Sequence, residues 1–251
     1  MSAFNVVIPA RYASVRLPGK PLRLIAGRPM IQHVHEIALH SDASEVWIAT
    51  DDERIQEAAS AFGANVCMTS PHHQSGTDRL AEVCKLRSWS AEQVVVNLQG
   101  DEPLLPSVLI NECAALLEDD SVGVGTLASA MESEEEFQNP NIVKIVTDRK
   151  DNALYFSRAP IPFLRDEHAG DAVNSLALQH HGIYAYRHKV LRQLTDAGPC
   201  ELEQYERLEQ LRALWLGITL RVGKASLRPG PGVDNEEDIA AVNAILEGKY
   251  S

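Results

Sequence analysis

The stretch VVIPARYASVRLPGKPL, at residues 6–22, decides the fold that we expect. It begins with an apolar run, which Phe4 precedes and Pro9 ends, and this run shows no alternation of polar residues. Such a pattern predicts a strand of a parallel sheet that is buried on both faces. The loop after the strand carries three cations, which are Arg11, Arg16 and Lys20. Open α/β sheets bind ligands at the carboxyl ends of their strands, so this loop predicts a site for an anion such as a polyphosphate.

Two familiar phosphate loops do not describe this segment. There is no G-x-x-x-x-G-K-[ST], because Pro21 follows Lys20, and there is no G-x-G-x-x-G. A solvated basic loop is therefore the alternative interpretation. The net charge of the chain is −12, so a local cationic cluster stands out against an acidic protein. The same charge argues against general binding of nucleic acids or of anionic membranes.

The composition is typical of a soluble globular enzyme, with 45% hydrophobic and 23% charged residues among 251. No apolar run approaches the ~20 residues of a membrane span, so we expect no membrane insertion and no signal peptide. The four cysteines are scattered without a C-x-x-C, which favours reduced thiols in a cytoplasmic protein. The nine histidines form no H-x-x-x-H, so we expect no zinc site.

Strand and helix patterns alternate regularly up to residue 127. Further apolar runs follow the first at 46–49, 66–69, 94–98 and 122–127. Amphipathic patterns between them predict helices, of which the first begins near Met30. Parallel strands joined by crossover helices form a doubly wound α/β fold with a mostly parallel sheet.

The pattern changes from Asn139 onward. The remaining elements are expected as strands at 142–146, 154–158, 178–186 and 219–222 and as helices at 201–216 and 235–247. The first two of these strands belong to a meander, and an exposed loop with little to bury is expected at 165–175, before the third strand. The helix at 201–216 has an apolar stripe formed by Leu202, Tyr205, Leu208, Leu211 and Trp215.

Polar residues after the second and third strands each have two interpretations. Asp51 and Asp52 cap the next helix, or Asp51 binds a ribose, and the missing glycine fingerprint favours the cap. Ser75 and Thr77 cap the helix that follows them, or they present donors and acceptors to a base, with Arg79 reaching phosphate or ribose.

Acidic residues at two further positions are candidates for holding a metal. Asp101 follows a central strand beside the cationic loop, where Mg²⁺ is commonly held by one or two carboxylates and substrate phosphates. A turn before the next helix is the alternative. Glu102 is expected to point elsewhere, because neighbouring side chains diverge on an extended chain. Asp234, with Glu237 three residues later, is close to a capping box and by itself indicates a helix cap.

Seven segments of the chain are more specific together than any one alone. In order they are IPARYASVRLPGKPL at 8–22, HQSGTDRLAEV at 73–83, NLQGDEPL at 97–104, ALYFSRAPIP at 153–162, HGIYAYR at 181–187, LEQLRALWLG at 208–217 and GVDNEEDI at 232–239. This set resembles the sugar-activating cytidylyltransferases, and most closely the 3-deoxy-manno-octulosonate (Kdo) cytidylyltransferase family. The resemblance implies a Rossmann-like nucleotidyltransferase fold as one domain over 1–251. It also implies a CTP-binding half at 1–130 and a half for sugar binding and dimerisation, with a small meander and helix insertion, at 139–226.

The reaction that the resemblance implies converts CTP and Kdo to CMP-Kdo and pyrophosphate, for lipopolysaccharide biosynthesis. The anomeric hydroxyl attacks the α-phosphorus in line with the departing pyrophosphate, so positioning and charge neutralisation matter most. By motif position, the nucleotide is held by Arg11, Ser14, Lys20, Ser75, Gly76, Thr77 and Arg79, of which Arg11 and Lys20 are also catalytic. Asp101, the third catalytic residue, and Asp234 hold Mg²⁺.

The family's sugar-side positions correspond here to Gln99, Arg158, His180, Tyr184, Glu209 and Gln210. Arg158 offers bidentate geometry for the sugar carboxylate. His180 matches the family histidine, whereas His181 packs or faces solvent. The alternatives are a polar helix face for Glu209 and Gln210 and a core position for Tyr184. A homodimer formed through the second half is also implied.

Two rival functions remain open on the sequence. One is a cytidylyltransferase for another acidic sugar, such as a sialic acid or an amino-substituted Kdo, which would share the nucleotide half. The other is a non-catalytic nucleotide-sugar sensor on the same fold, which Lys20, Asp101 and Asp234 argue against because a sensor needs no metal pair.

Overall fold

A mostly parallel sheet forms the centre of this computed structural model, which describes residues 3–13, 17–73, 75–165 and 177–248. The strands are β1 (Phe4–Ala10), β2 (Leu24–Ile25), β3 (Arg28–Pro29), β4 (Glu45–Thr50), β5 (Asn65–Met68), β6 (Val94–Asn97), β7 (Val124–Ala130), β8 (Lys144–Thr147), β9 (Ala153–Ser157), β10 (Leu178–Arg187) and β11 (Leu220–Lys224). The helices are α1 (Met30–Leu39), α2 (Glu53–Ala61), α3 (Gly76–Leu86), α4 (Val108–Ala115), α5 (Glu134–Gln138), α6 (His188–Ala197), α7 (Glu201–Glu206), α8 (Leu211–Trp215) and α9 (Glu236–Leu246). Two 3₁₀ turns lie at Lys20–Leu22 and Leu116–Glu118.

The strand order confirms the doubly wound α/β prediction. Neighbours in the sheet run β11-β7-β10-β6-β1-β4-β5, and β1 pairs in parallel with both β4 and β6. Val6 lies opposite Val46 on one side and Val96 on the other, and it is completely buried. This continuous burial explains why the first strand has no polar alternation.

The two strands predicted for a meander are confirmed as the antiparallel pair of β8 and β9, but β10 pairs with β8 rather than with β9. Strand β8 pairs antiparallel with β9 and with the start of β10, where Leu178 lies opposite Ile145. Strand β10 then continues between β6 and β7, antiparallel to both, with an irregular register between His181 and Tyr184. The second half of the chain therefore supplies a central strand to the sheet of the first half.

The single helix predicted at 201–216 is wrong. Arg207 adopts a left-handed conformation (φ 56°) and separates α7 from α8. The turn lets the buried Arg212 guanidinium donate to Glu203 Oε2 at 2.8 Å. On a continuous helix these two residues would lie about 13.5 Å apart along the axis. Tyr205 and Trp215, from the expected apolar stripe, are instead 86% and 61% exposed.

Other departures from the expected elements are smaller. No element was predicted at the position of α6, which packs against α3. The predicted exposed loop at 165–175 lies outside the described residues from 166 onward. The last predicted helix is confirmed as α9.

A small separate hydrophobic cluster holds together two segments, one early and one late in the sequence, that meet at the site. It consists of Leu17, Ile25, Met30, Val233, Ile239 and Val242. These side chains join the segment after β1 to α9, which lies more than 200 residues later in the sequence. The cluster thus brings Lys20 and Asp234 to the same edge of the sheet.

Candidate functional site

Lys20 lies between the two carboxylates that were candidates for holding a metal. Its Nζ donates to Asp101 Oδ2 at 2.7 Å and to Asp234 Oδ1 at 3.0 Å. Its side chain is only 12% exposed. Burial acts to lower the pKa of Lys20, but the two carboxylates oppose it more strongly, so the pKa is raised above its ordinary value. The amine is therefore a fixed positive charge at neutral pH.

Main-chain contacts bring Asp101 and Asp234 together. Asp101 follows β6, and its carbonyl accepts a hydrogen bond from the amide of Val233 at 2.9 Å. Interpreting Asp234 as the helix cap is wrong. Asn235 caps α9, because its Oδ1 accepts from the amides of Glu237 and Asp238 at 2.8 and 3.0 Å. The capping box lies one residue later than expected, and the Asp234 carboxylate points to Lys20 instead.

Asp101 and Asp234 together form a donor set that fits Mg²⁺. Both carboxylates already converge on one cationic group, and Mg²⁺ is commonly bound through one or two carboxylates with phosphates and water. Among the described residues there is no group of three or more His, Cys, Asp or Glu that could hold a metal. Substrate oxygens and water would therefore have to complete the coordination.

Two cavities meet at Asp101. The first, here called the cationic cleft, has a volume of about 260 Å³ and includes Arg11, Lys20, Gly76, Gln99 and Asp101 in its lining. The second, here called the histidine cavity, has a volume of about 380 Å³ and includes Asp101, Glu102, Gln179, His180, His181 and Asp234. A group bound in one cavity can thus approach a group bound in the other at this carboxylate.

The start of α3 combines a helix cap with a wall of the cationic cleft. Ser75 Oγ accepts from the amide of Asp78 at 3.1 Å, and the Asp78 carboxylate accepts from the amide of Ser75 at the same distance. The cap interpretation of Ser75 is thus confirmed. Gly76 lines the cleft, and Thr77 Oγ1 donates to Glu209 Oε2 at 3.0 Å. Ser14, predicted to assist at the triphosphate through the loop backbone, lies outside the described residues.

Arg79 does not line the cleft. The side chain has no exposed surface, and its guanidinium donates to Asp51 Oδ2 at 3.0 Å and also to Thr69 Oγ1. Asp52 caps α2, so the interpretation of Asp51 as a cap is wrong, and its interpretation as a ribose ligand stays a prediction. The half-buried Asp51 is thus a partner of this guanidinium, and contact of Arg79 with phosphate or ribose stays a prediction. Burial and the nearby Arg79 lower the pKa of Arg11, which lines the cleft.

His180 and His181 are both neutral in the histidine cavity. His180 Nε2 lies 3.0 Å from Thr126 Oγ1, and His181 Nε2 lies 2.7 Å from Ser129 Oγ. Burial, and then the other histidine, lower the pKa of His180 to about 3. Burial and Arg228 lower the pKa of His181 to about 4. Neutral rings of this kind exchange hydrogen bonds with hydroxyl groups without carrying charge.

The other predicted sugar-side residues do not join His180 in this cavity. Gln99 lines the cationic cleft. Arg158 Nε and Nη1 donate to the carbonyls of Glu206 and Pro140 at 2.9 and 3.1 Å, so the protein backbone already occupies its fork. Tyr184 belongs to the hydrophobic core, as its alternative proposed. Glu209 and Gln210 border a small internal space beside Thr77.

Two parts of the histidine cavity, an acidic residue and a loop, were not predicted. Glu102 was expected to point elsewhere, but it lines the histidine cavity, so that expectation is wrong. The chain turns after β6, where the amide of Glu102 bonds to the carbonyl of Gln99 at 3.3 Å, so side chains do not alternate as on a strand. The PGPG segment at 229–232 lines the same cavity. Its two glycines, four and two residues before Asp234, were the available signal.

Comparisons with known proteins give a consistent family. Residues 5–221 match the cytidylyltransferase family. The chain is 50% identical over 249 residues to 3-deoxy-manno-octulosonate cytidylyltransferase of Vibrio parahaemolyticus serotype O3:K6, with 98% of this chain and 99% of that protein covered. It is 52% identical over 247 residues to the protein of the same name from Vibrio campbellii, with 97% and 98% covered.

The fold is similar to that of a solved structure of CMP:2-keto-3-deoxy-manno-octonic acid synthetase complexed with CTP. The TM-score is 0.89 at 42% identity, with 99% of this chain and 100% of that chain covered. Separately, no helix in the described parts of the chain has the length and apolar character needed to cross a membrane.

Proposed function

The chain belongs to the cytidylyltransferase family, and from that membership we propose that it activates Kdo with CTP, giving CMP-Kdo and pyrophosphate for lipopolysaccharide biosynthesis. The observation that carries this proposal is the cluster of Lys20, Asp101 and Asp234 where the cationic cleft meets the histidine cavity. A two-substrate transfer needs two adjoining pockets with charge control between them. Relatives that are about 50% identical over almost their whole length carry the Kdo cytidylyltransferase name, which supports Kdo as the sugar.

The cationic cleft binds CTP in this proposal. Arg11 and Lys20 face the triphosphate and offset its charge, and Ser14 adds a contact from the same loop. Ser75, Gly76 and Thr77 form the wall at the start of α3 that meets the nucleotide. Arg79 supports this wall from below through its bond to Asp51.

Asp101 and Asp234 hold Mg²⁺ in this proposal. The ion would supply charge neutralisation at the phosphates and lower the pKa of a bound hydroxyl. Lys20 leaves its two carboxylates for the triphosphate when substrate arrives. The residues that line the two cavities then keep the sugar hydroxyl group and the α-phosphorus in line and exclude competing water.

The histidine cavity binds the sugar. The neutral rings of His180 and His181 suit hydroxyl groups, and both line the cavity. Gln99 reaches toward the reacting centre from the cationic cleft. We keep Arg158, Tyr184, Glu209 and Gln210 as predicted sugar-side residues, which would act after a rearrangement around the substrate.

We further infer a cytoplasmic homodimer. The division into a CTP-binding half at 1–130 and a half for sugar binding and dimerisation at 139–226 agrees with the exposed apolar residues of the second half. Leu154, Phe163 and Tyr205 are 61%, 87% and 86% exposed. The four cysteines are free and buried, which suits a reducing compartment. Light scattering during gel filtration tests the dimer, and a single-chain mass would contradict it.

The first experiment measures pyrophosphate release from CTP and Mg²⁺ with Kdo, a sialic acid or an amino-substituted Kdo in parallel. Release with Kdo alone is the expected result. Release with another sugar alone would keep the transfer but change the substrate. Bound CTP without release from any sugar would favour the nucleotide-sugar sensor. Omitting Mg²⁺ in the Kdo reaction tests the metal, and full activity without a divalent ion would contradict its role.

A further inference from the structure

The carboxyl group of Glu102 lines the histidine cavity and has no role in the transfer proposed above. Glu102 follows Asp101 directly, and both residues line this cavity. Glu102 is absent from the lining of the cationic cleft, whereas Asp101 belongs to both. A ligand that meets Glu102 is therefore the occupant of the histidine cavity rather than of the cleft.

The loop at 229–233 fixes where the Glu102 side chain lies. The amide of Gly230 donates to the carbonyl of Leu104 at 3.4 Å, and that of Val233 donates to the carbonyl of Asp101 at 2.9 Å. A Cβ atom added at Gly232 would lie 2.9 Å from Glu102 Oε1, which is too close for normal packing. Glycine at this position therefore leaves the space that the carboxyl group occupies.

No described residue forms a hydrogen bond with this carboxyl group. Partly buried polar groups in folded proteins normally have a partner, and a group without one inside a polar cavity is available to a ligand. A carboxyl group accepts hydrogen bonds from hydroxyl groups when it is ionised, and it also donates one when it is protonated.

We propose that Glu102 binds a hydroxyl group of the sugar in the histidine cavity and is a specificity-determining residue of this enzyme. The inference rests on the proposed function, because it takes a polyhydroxylated acidic sugar as the occupant. Hydroxyl groups both donate and accept, so they suit the carboxyl group in either protonation state. A ligand carboxylate in the position of that hydroxyl group would be repelled by Asp101 and Asp234. Glu102 thus selects the face of the sugar that carries hydroxyl groups.

Steady-state kinetics of Glu102→Ala and Glu102→Gln against Kdo and CTP test this proposal. Glu102→Ala is expected to raise the KM for Kdo about tenfold to hundredfold, the scale of one hydrogen bond to an ionisable group. The amide of Glu102→Gln still bonds a hydroxyl group, so this variant should recover most of the loss. The KM for CTP, and CTP affinity by calorimetry, should stay within about twofold for both, and Glu237→Gln controls for the charge change on an exposed acid nearby.

Deoxy analogues of Kdo, each lacking one ring or side-chain hydroxyl group, separate contact from structural support. One analogue should be a poor substrate of the wild type and lose nothing further with Glu102→Ala. Gly232→Ala should reproduce the rise in KM for Kdo by displacing the carboxyl group. Its control is Gly223→Ala, whose added Cβ meets Leu127 at 2.9 Å away from both cavities and should affect stability alone.

Several outcomes would overturn the proposal. Unchanged KM for Kdo in Glu102→Ala would remove the contact, and an equal rise in the KM for CTP would make Glu102 a support of the metal centre. If the loss from Glu102→Ala added to the loss from the missing hydroxyl group for every deoxy analogue, the effect of Glu102 would be structural. If the wild type releases no pyrophosphate with Kdo, the proposed function fails first and this proposal fails with it.

Discussion

The cationic cleft and the histidine cavity share Asp101, but the chain builds them in different ways. The cleft consists mainly of residues that directly follow β1 and β6 or begin α3, so each polar group comes next to a strong local pattern. The histidine cavity combines β10 with the turn after β6 and the segment at 229–234. Its residues meet only because β10 enters the main sheet antiparallel to its neighbours.

This difference explains why the residues of the cleft are easier to predict from the sequence than those of the cavity. Parallel strands align their carboxyl ends, so residues after strands converge whatever the rest of the chain does. An antiparallel strand inserted from later in the sequence follows no such rule. The residues of the cleft can therefore be predicted from local sequence patterns. Those of the cavity depend on pairing between strands that are distant in the sequence.

The largest expected effect is at the carboxylate that both regions share. Asp101→Asn should lower kcat by at least ~10²-fold, the scale for losing one group that stabilises developing charge, while the fold stays intact. Steady-state kinetics with circular dichroism would check both parts. Asp119→Asn, far from both cavities, should retain wild-type turnover. Near-normal turnover of Asp101→Asn would show that the two regions do not meet in the reaction.

The next effect tests the segment at 201–216, which contacts the start of α3 through the hydrogen bond between Thr77 and Glu209. Glu203→Ala leaves the buried Arg212 guanidinium without its acid and should lower the free energy of unfolding by about 3 kcal/mol. Urea denaturation would measure this loss. The exposed pair of Asp119 and Arg221 is the matched control, and Asp119→Ala should cost less than about 1 kcal/mol. Equal losses from both pairs would contradict the role of burial.

Much of the fold was predictable because most strands are continuous apolar runs between helical patterns. The failures have physical causes that single residues illustrate. The 201–216 stripe satisfied helical periodicity, but Arg207 breaks the helix so that Glu203 and Arg212 can pair inside the protein. Capping of α9 by Asn235 rather than Asp234 is a shift of one residue that pattern alone does not resolve.

The candidate site was predictable to the extent that it lies next to strands. Lys20 and Asp101 follow β1 and β6, and the structure brings them to 2.7 Å. Asp234 joined them in the sequence analysis only through the family resemblance, since its position depends on the small cluster around Val233. Glu102 was missed because the chain turns immediately after β6. The placement of Arg158 depended on the carbonyls of Glu206 and Pro140, which no local pattern shows.

A smaller effect is expected from Arg158→Ala. The carbonyl that Arg158 bonds belongs to Pro140, next to Asn141 in the wall of the histidine cavity. Losing this bond should raise the KM for Kdo about tenfold, as expected for one hydrogen bond to a charged group, and CTP affinity should be kept. Arg158→Lys tests whether the planar fork or only the charge is needed. Loss of CTP binding would show that the two regions are not divided as proposed.

The smallest expected effect is the pH dependence of stability, which arises in the histidine cavity. The pKa of His180 is lowered to about 3 and that of His181 to about 4, both below the ordinary value near 6.5. The unfolded chain therefore binds more protons than the folded one below pH 6.5. The stabilisation is complete above that pH and is lost as the pH falls toward the folded pKa values. At pH 6 each buried ring should cost about 1 kcal/mol relative to pH 8. Urea denaturation at both pH values should show a smaller loss for His181→Gln than for the wild type, whereas His40→Gln, at an exposed position, should behave like the wild type. An identical loss in His181→Gln would mean that this ring is not held neutral, and the assignment of two neutral histidines to this cavity would fail.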